Sequence, residues 1–159
     1  MVNDNYFYEI TIKRPFDEIE FYKRLREIHE YDSDYDFKIL RDIVKLMCKS
    51  YPLKMGNVFH KVFFKLYCEN KYLDILKILM ILKSMDLSLI RSMGLNSIVI
   101  ASLCYPVYQV QELALECIGE WGSTMYYTPL YSMKFEQEYL NDYKVEILEE
   151  LKEKIEKKS

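Results

Sequence analysis

A chain of 159 residues with a formal net charge of −3, half of it hydrophobic, is long enough to bury one substantial core and too short to favour two. The length therefore predicts a single compact domain over residues 1–159. Every apolar run is broken by Lys, Asp or Glu before the roughly twenty residues of a membrane span accumulate, and Met1-Val-Asn-Asp-Asn-Tyr6 lacks the basic stretch and apolar core of a secretory signal. A soluble, cytoplasmic protein with no membrane partner is the expectation.

Residues 1–15 read as an extended aromatic arm. The partial alternation of Asn5-Tyr-Phe-Tyr-Glu-Ile-Thr-Ile12 would suit a strand, but a lone strand has no sheet to join and must pack on helices. Asp17 is placed to cap a first helix running to about Tyr31, with Ile19, Tyr22, Leu25 or Arg26, and Ile28 or His29 along its faces. Asp32-Ser-Asp-Tyr-Asp36 breaks and recaps the chain. A second helix from about Asp34 to Lys49 buries Phe37, Leu40, Val44 and Met47 or Cys48, and Tyr51-Pro52 ends it.

Met55 to Glu69, with Val58, Val62, Phe63, Leu66 and Tyr67, is the third helix. Tyr72 to Met85, with Leu73, Leu76, Leu79, Met80 and Met85, is a fourth, apolar enough to be central. Asp86 opens a short helix, Asn96 caps the segment Ser97 to Cys104, and Tyr105-Pro106 opens the next, which Gly122-Ser-Thr124 ends. That helix carries two patterns. Val110, Leu113, Ala114, Cys117, Ile118 and Trp121 form a buried stripe, while Glu112, Glu116 and Glu120 form a second, acidic one. Like charges at i+4 repel by a few tenths of a kcal/mol per pair, so helix stability gives no reason for the arrangement and a cationic partner would.

Tyr126-Tyr-Thr-Pro-Leu-Tyr131 reads as an exposed aromatic loop. Lys134 to about Lys157 reads as a charged final helix in which Glu150 pairs with Lys154 and Glu153 with Lys157; it offers too few heptads for a coiled coil. The whole is all-α, with about seven or eight helices.

Residues 96–122 resemble one HEAT repeat: an apolar first helix, a turn with Pro106, then Val110, Ala114, Ile118 and Gly119 at packing positions. The resemblance implies an irregular HEAT-like α-α superhelical bundle. It also implies that the second helix of the pair lines a concave face, so that Glu112, Glu116 and Glu120 line a groove.

Charge is unevenly spread. Between residues 41 and 80 eight basic residues stand against three acidic ones, whereas between 100 and 150 nine acidic residues stand against Lys134 and Lys144. The basic residues lie singly along several helices, with no aromatic-lined basic groove, so direct nucleic-acid binding is not expected and a basic protein is the better match for the acidic half. Cys48, Cys68, Cys104 and Cys117 are scattered through apolar helical patterns without a C-x-x-C pair and read as buried, reduced thiols.

Local catalytic signatures are missing. His29 and His60 have no Cys or carboxylate at a metal-ligand spacing and read as a solvated and a helix-face residue. Gly56, Gly94, Gly119 and Gly122 form no phosphate-cradling cluster, and no nucleophile elbow surrounds Ser123 or Cys104. The expectation is a non-enzyme with no catalytic residue, metal or cofactor.

Three features could bind a partner. The first is the Glu112, Glu116, Glu120 row, whose ordinary alternative is a solvated helix face. The second is Tyr31, Asp32, Asp34, Tyr35 and Asp36, whose alternating acids and aromatics could imitate phosphates and stacked bases, although Asp and Ser are also common helix caps. The third is Tyr126, Tyr127 and Tyr131, a residue type common at binding hot spots, which could equally pack beneath the last helix.

In size, acidity and aromatic surface the chain looks like the small helical immunity proteins of bacterial toxin and immunity pairs, including those of contact-dependent growth inhibition. That resemblance implies an antitoxin that forms a one-to-one complex with a basic toxin domain, plausibly a nuclease, and covers its active site. The alternatives are a HEAT-like scaffold or adaptor that holds a peptide or protein subunit, and a phage-type inhibitor of a defence nuclease.

Overall fold

The computed structural model describes residues 14–29 and 35–158, and among these residues the fold is all-α, with nine α-helices, a 3-10 turn and no strand. The expected arm falls outside the described residues apart from Arg14 and Pro15, and so do Tyr31, Asp32 and Asp34. The chain gathers into two compact units, residues up to Asn96 and residues from Ser97 onward.

The first unit holds α1 (Glu18–Glu27), α2 (Tyr35–Ser50), α3 (Pro52–Cys68), α4 (Tyr72–Lys83) and α5 (Leu87–Ser92). Asp17 caps α1 as expected, its Oδ1 accepting from the Glu20 amide at 2.8 Å, a device worth about 1 kcal/mol. The face it buries differs from the expected one. Phe21, Leu25 and Ile28 point inward while Ile19 lies exposed, because Phe21 meets Phe59 of α3 edge-on with ring centroids 5.0 Å apart. Helix α2 buries Phe37, Leu40, Val44, Met47 and Cys48 as its spacing predicts, and Ile43 besides.

Pro52 occupies the first turn of α3, where its missing N–H costs nothing. Gly56 lets α3 approach α5 closely: a Cβ there would stand 2.7 Å from the Met93 carbonyl oxygen. The centre of the unit is α4, which buries Ile75, Leu76, Ile78, Leu79, Ile81 and Leu82 and packs against α3. Leu73, expected inside, is exposed.

Two charges are buried in α4, Asp74 at 6% exposure and Lys77 at 4%. The Lys77 ammonium donates to the Leu25 carbonyl at 2.7 Å, to the Ile28 carbonyl, and to Asp74 Oδ1 at 2.7 Å. All three of its hydrogens are thereby used. Arg26 completes the cluster, its guanidinium 3.2 Å from Asp74 Oδ2. The carbonyls at the C-terminus of α1, which a helix leaves without intrahelical partners, are thus closed by a lysine from another helix.

The second unit holds α6 (Asn96–Leu103, which begins one residue before the boundary), α7 (Tyr108–Trp121), a 3-10 turn (Thr124–Tyr126), α8 (Tyr127–Tyr131) and α9 (Glu138–Lys157). Gly122 ends α7 in the left-handed conformation, φ 59°. The expected aromatic loop over 126–131 is a short helical segment instead, and Tyr126 is fully buried against Trp121, the rings stacked 6.2 Å apart.

The last helix begins at Glu138, four residues later than expected, for a specific reason. The Asn141 side chain brackets the Phe135 backbone, accepting from its N–H and donating to its C=O, both at 2.9 Å. Residues 133–137 are thereby folded back onto the helix, and buried Phe135 anchors the turn. Lys154 reaches the Gly122 carbonyl at 2.9 Å, so the terminus of α7 takes the cation that the i+4 pattern assigns to Glu150.

Candidate protein-binding surface

Helix α7 presents the acidic row and α9 frames it. Val110, Leu113, Ala114, Cys117 and Ile118 fill the core side of α7, which turns Glu112 and Glu116 to its half-buried flank and Glu120 to the exterior. From α9, the Tyr139 hydroxyl donates to Glu112 Oε2 at 3.4 Å, a long and therefore weak bond. One turn further along, the Tyr143 hydroxyl and Ile147 lie over Gly119, 3.2 and 3.7 Å from where a Cβ would stand. Contacts pairing 112 with 139, 119 with 143 and 147, and 122 with 154 advance in the same sense on both helices. Helices α7 and α9 therefore run broadly parallel, and α9 lays tyrosines beside the glutamates.

Tyr108 precedes Glu112 by one helical turn and is exposed, as is Tyr139. The Tyr139 hydroxyl is held above its ordinary pKa, first by desolvation, then by the Glu112 charge and hydrogen bond, with Tyr108 adding a smaller push. It stays protonated and remains a donor. The resulting surface alternates carboxylate acceptors with phenol rings, and the unit that carries it has eleven acidic residues against six basic ones. Its chemistry suits guanidinium and ammonium groups, which carboxylates bind and aromatic faces attract.

The other sequence candidates fall in different places. Tyr35 and Asp36 form the first turn of α2 rather than a loop, and Tyr35 is exposed. Of the three tyrosines near residue 130, Tyr126 is core, Tyr127 is half-buried, and Tyr131 is exposed with its ring stacked on Tyr127 at 6.0 Å. Only Tyr131 and part of Tyr127 reach the surface. Tyr108 and Tyr139 were not among the sequence candidates. Tyr108 extends the i+4 row of glutamates by one turn and could have been read from it; Tyr139 lies 27 residues from Glu112 and carries no local signal.

His29 is exposed, and His60 Nε2 lies 3.0 Å from the Gly94 carbonyl oxygen, linking α3 to the end of α5. Among the described residues no group of three or more His, Cys, Asp or Glu is placed to hold a metal ion. The thiols divide: Cys48 and Cys117 are buried as expected, while Cys68, the last residue of α3, and Cys104, in the turn after α6, are exposed. Burial pushes the Cys48 thiol up to about 12.

No protein-family model, curated protein or solved structure matches the chain.

Proposed function

We propose that the protein acts by binding another protein, as an immunity-type inhibitor that covers the basic active site of a nuclease toxin domain. The observation that carries this reading is the joining of Tyr108, Glu112 and Tyr139 into one surface continuous with Glu116 and Glu120. A nuclease holds its substrate phosphates with Lys and Arg, and a row of carboxylates between aromatic rings offers those side chains equivalent partners. Complementary fields accelerate encounter, and desolvated tyrosines slow release. The complex is one-to-one, and the inhibitor itself needs no cofactor.

A HEAT-like adaptor is the second reading, favoured by the helix pair Asn96–Leu103 and Tyr108–Trp121 on either side of the Pro106 turn. Co-expression with the product of the neighbouring open reading frame separates the two. A stable one-to-one complex with a basic domain whose lethality this chain suppresses supports the inhibitor. Absence of both complex and rescue, with several weak partners recovered from lysate, supports the adaptor.

A further inference from the structure

The outward face of α3 has no role in the surface just described, and its composition is unusual. Between Pro52 and Cys68 the helix holds three lysines and no acidic residue. At about 100° per residue, Leu53, Asn57 and Phe64 fall within a strip about 40° wide, and Lys54, Lys61 and Lys65 fall within a second strip beside it. The opposite side, Met55, Val58, Phe59, Val62 and Leu66, is core. Leu53 is 78% exposed and Phe64 69% exposed, an arrangement that leaves two large apolar side chains in water about 16 Å apart along one helix edge. Lys65 rests its ammonium over the Tyr22 ring, 4.3 Å from the centroid. Among the described residues Lys54 and Lys61 enter no ion pair.

From this face we infer that α3 is a docking site for an anionic lipid surface, with Leu53 and Phe64 entering the acyl boundary and Lys54 and Lys61 held at the headgroup phosphates. A helix edge is convex, so its two apolar tips suit a flat, deformable surface that is apolar just beneath a layer of negative charge. Lysine stems lie along such a boundary with their ammonium groups in water. The expectation of no membrane partner rested on the lack of a span, and no helix among the described residues is long and apolar enough to cross a membrane. Attachment in the plane of the interface requires only one amphipathic face and basic residues at its margin.

Flotation of the full chain with vesicles tests the inference. Vesicles of phosphatidylcholine mixed with phosphatidylglycerol should carry the protein upward at low salt, and vesicles of phosphatidylcholine alone should not. The double substitution Lys54→Gln and Lys61→Gln should weaken partitioning about 25-fold, about fivefold per lysine. Leu53→Ser with Phe64→Ser should weaken it at least about tenfold. All four side chains are exposed, and circular dichroism checks that each variant retains its helices. Failure of the unsubstituted chain to float with anionic vesicles overturns the inference. So does full binding by the Leu53→Ser, Phe64→Ser variant, which would reduce the interaction to charge adsorption.

Discussion

Replacing Lys77 with Met keeps the aliphatic stem and removes the ammonium, which isolates the contribution of the buried charge cluster. Three hydrogen bonds are lost, to the Leu25 and Ile28 carbonyls and to Asp74. Asp74 stays buried and, among the described residues, retains only Arg26, a partner that is itself 39% exposed in its side chain. Removing one member of a buried ion pair costs about 3–5 kcal/mol. Each stranded acceptor alone costs about 1–3 kcal/mol, and water reaching the end of α1 lowers the cost for the two carbonyls. The expected loss is therefore about 3–5 kcal/mol, or a fall in Tm of about 6–20 °C for a protein of this size. Urea unfolding followed by far-ultraviolet circular dichroism measures it, with an unchanged m-value indicating that stability alone has altered. Lys77→Met combined with Asp74→Leu should recover a substantial part of the loss, since no uncompensated charge then remains. A loss under about 1 kcal/mol in the single variant, or no recovery in the double one, would refute the assignment of Lys77 as the clasp of α1.

The triple change Glu112, Glu116 and Glu120→Gln should leave the helical circular dichroism intact while weakening capture of a basic toxin domain and flattening its salt dependence; titration calorimetry at two ionic strengths reads both. Gly56→Ala should destabilise by about 1–3 kcal/mol, because the added methyl meets the Met93 backbone oxygen. Gly119→Ala meets the movable end of Tyr143 instead and should cost clearly less in the same denaturation assay. Stability should decline on the alkaline side. Cys48 holds its proton in the folded state to about pH 12 against an ordinary value of 9.0, so its contribution is complete below pH 9.0 and is lost as pH rises from there toward 12. The raised Tyr22 and Tyr139 hydroxyls act in the same direction. A Cys48→Ala variant should show a shallower fall of Tm between neutral pH and pH 10.5, as measured by thermal melts; equal slopes would rule this thiol out as the cause.

What was legible in the sequence was local. Asp17 and Gly122 act at the helix ends within a turn of themselves, so their roles can be read from spacing alone, whereas Pro52, read only as the stop of α2, also opens α3 three residues ahead of the expected Met55. The α2 stripe from Phe37 to Cys48 has one apolar face and admits one orientation. In α1 the apolar residues at 19, 21, 22, 25 and 28 allow two stripes, and a ring on another helix, Phe59, decides between them. The start of α9 depends on a side chain six residues ahead of Phe135. Lys77 and Asp74 look like solvated interruptions of an apolar helix until α1 is laid against them. The glutamate row was visible as a periodicity, whereas its tyrosine frame required α9 to be folded beside α7.

The division of the thiols has a practical consequence. Each compact unit carries one exposed cysteine, Cys68 in the first and Cys104 in the second, and one shielded in its core. Reagents that modify accessible thiolates will therefore select one position per unit. The native chain is in effect its own molecular ruler: spin labels at Cys68 and Cys104 report the separation of the two units without an added residue, and a partner that draws the units together or apart would register as a shifted distance distribution.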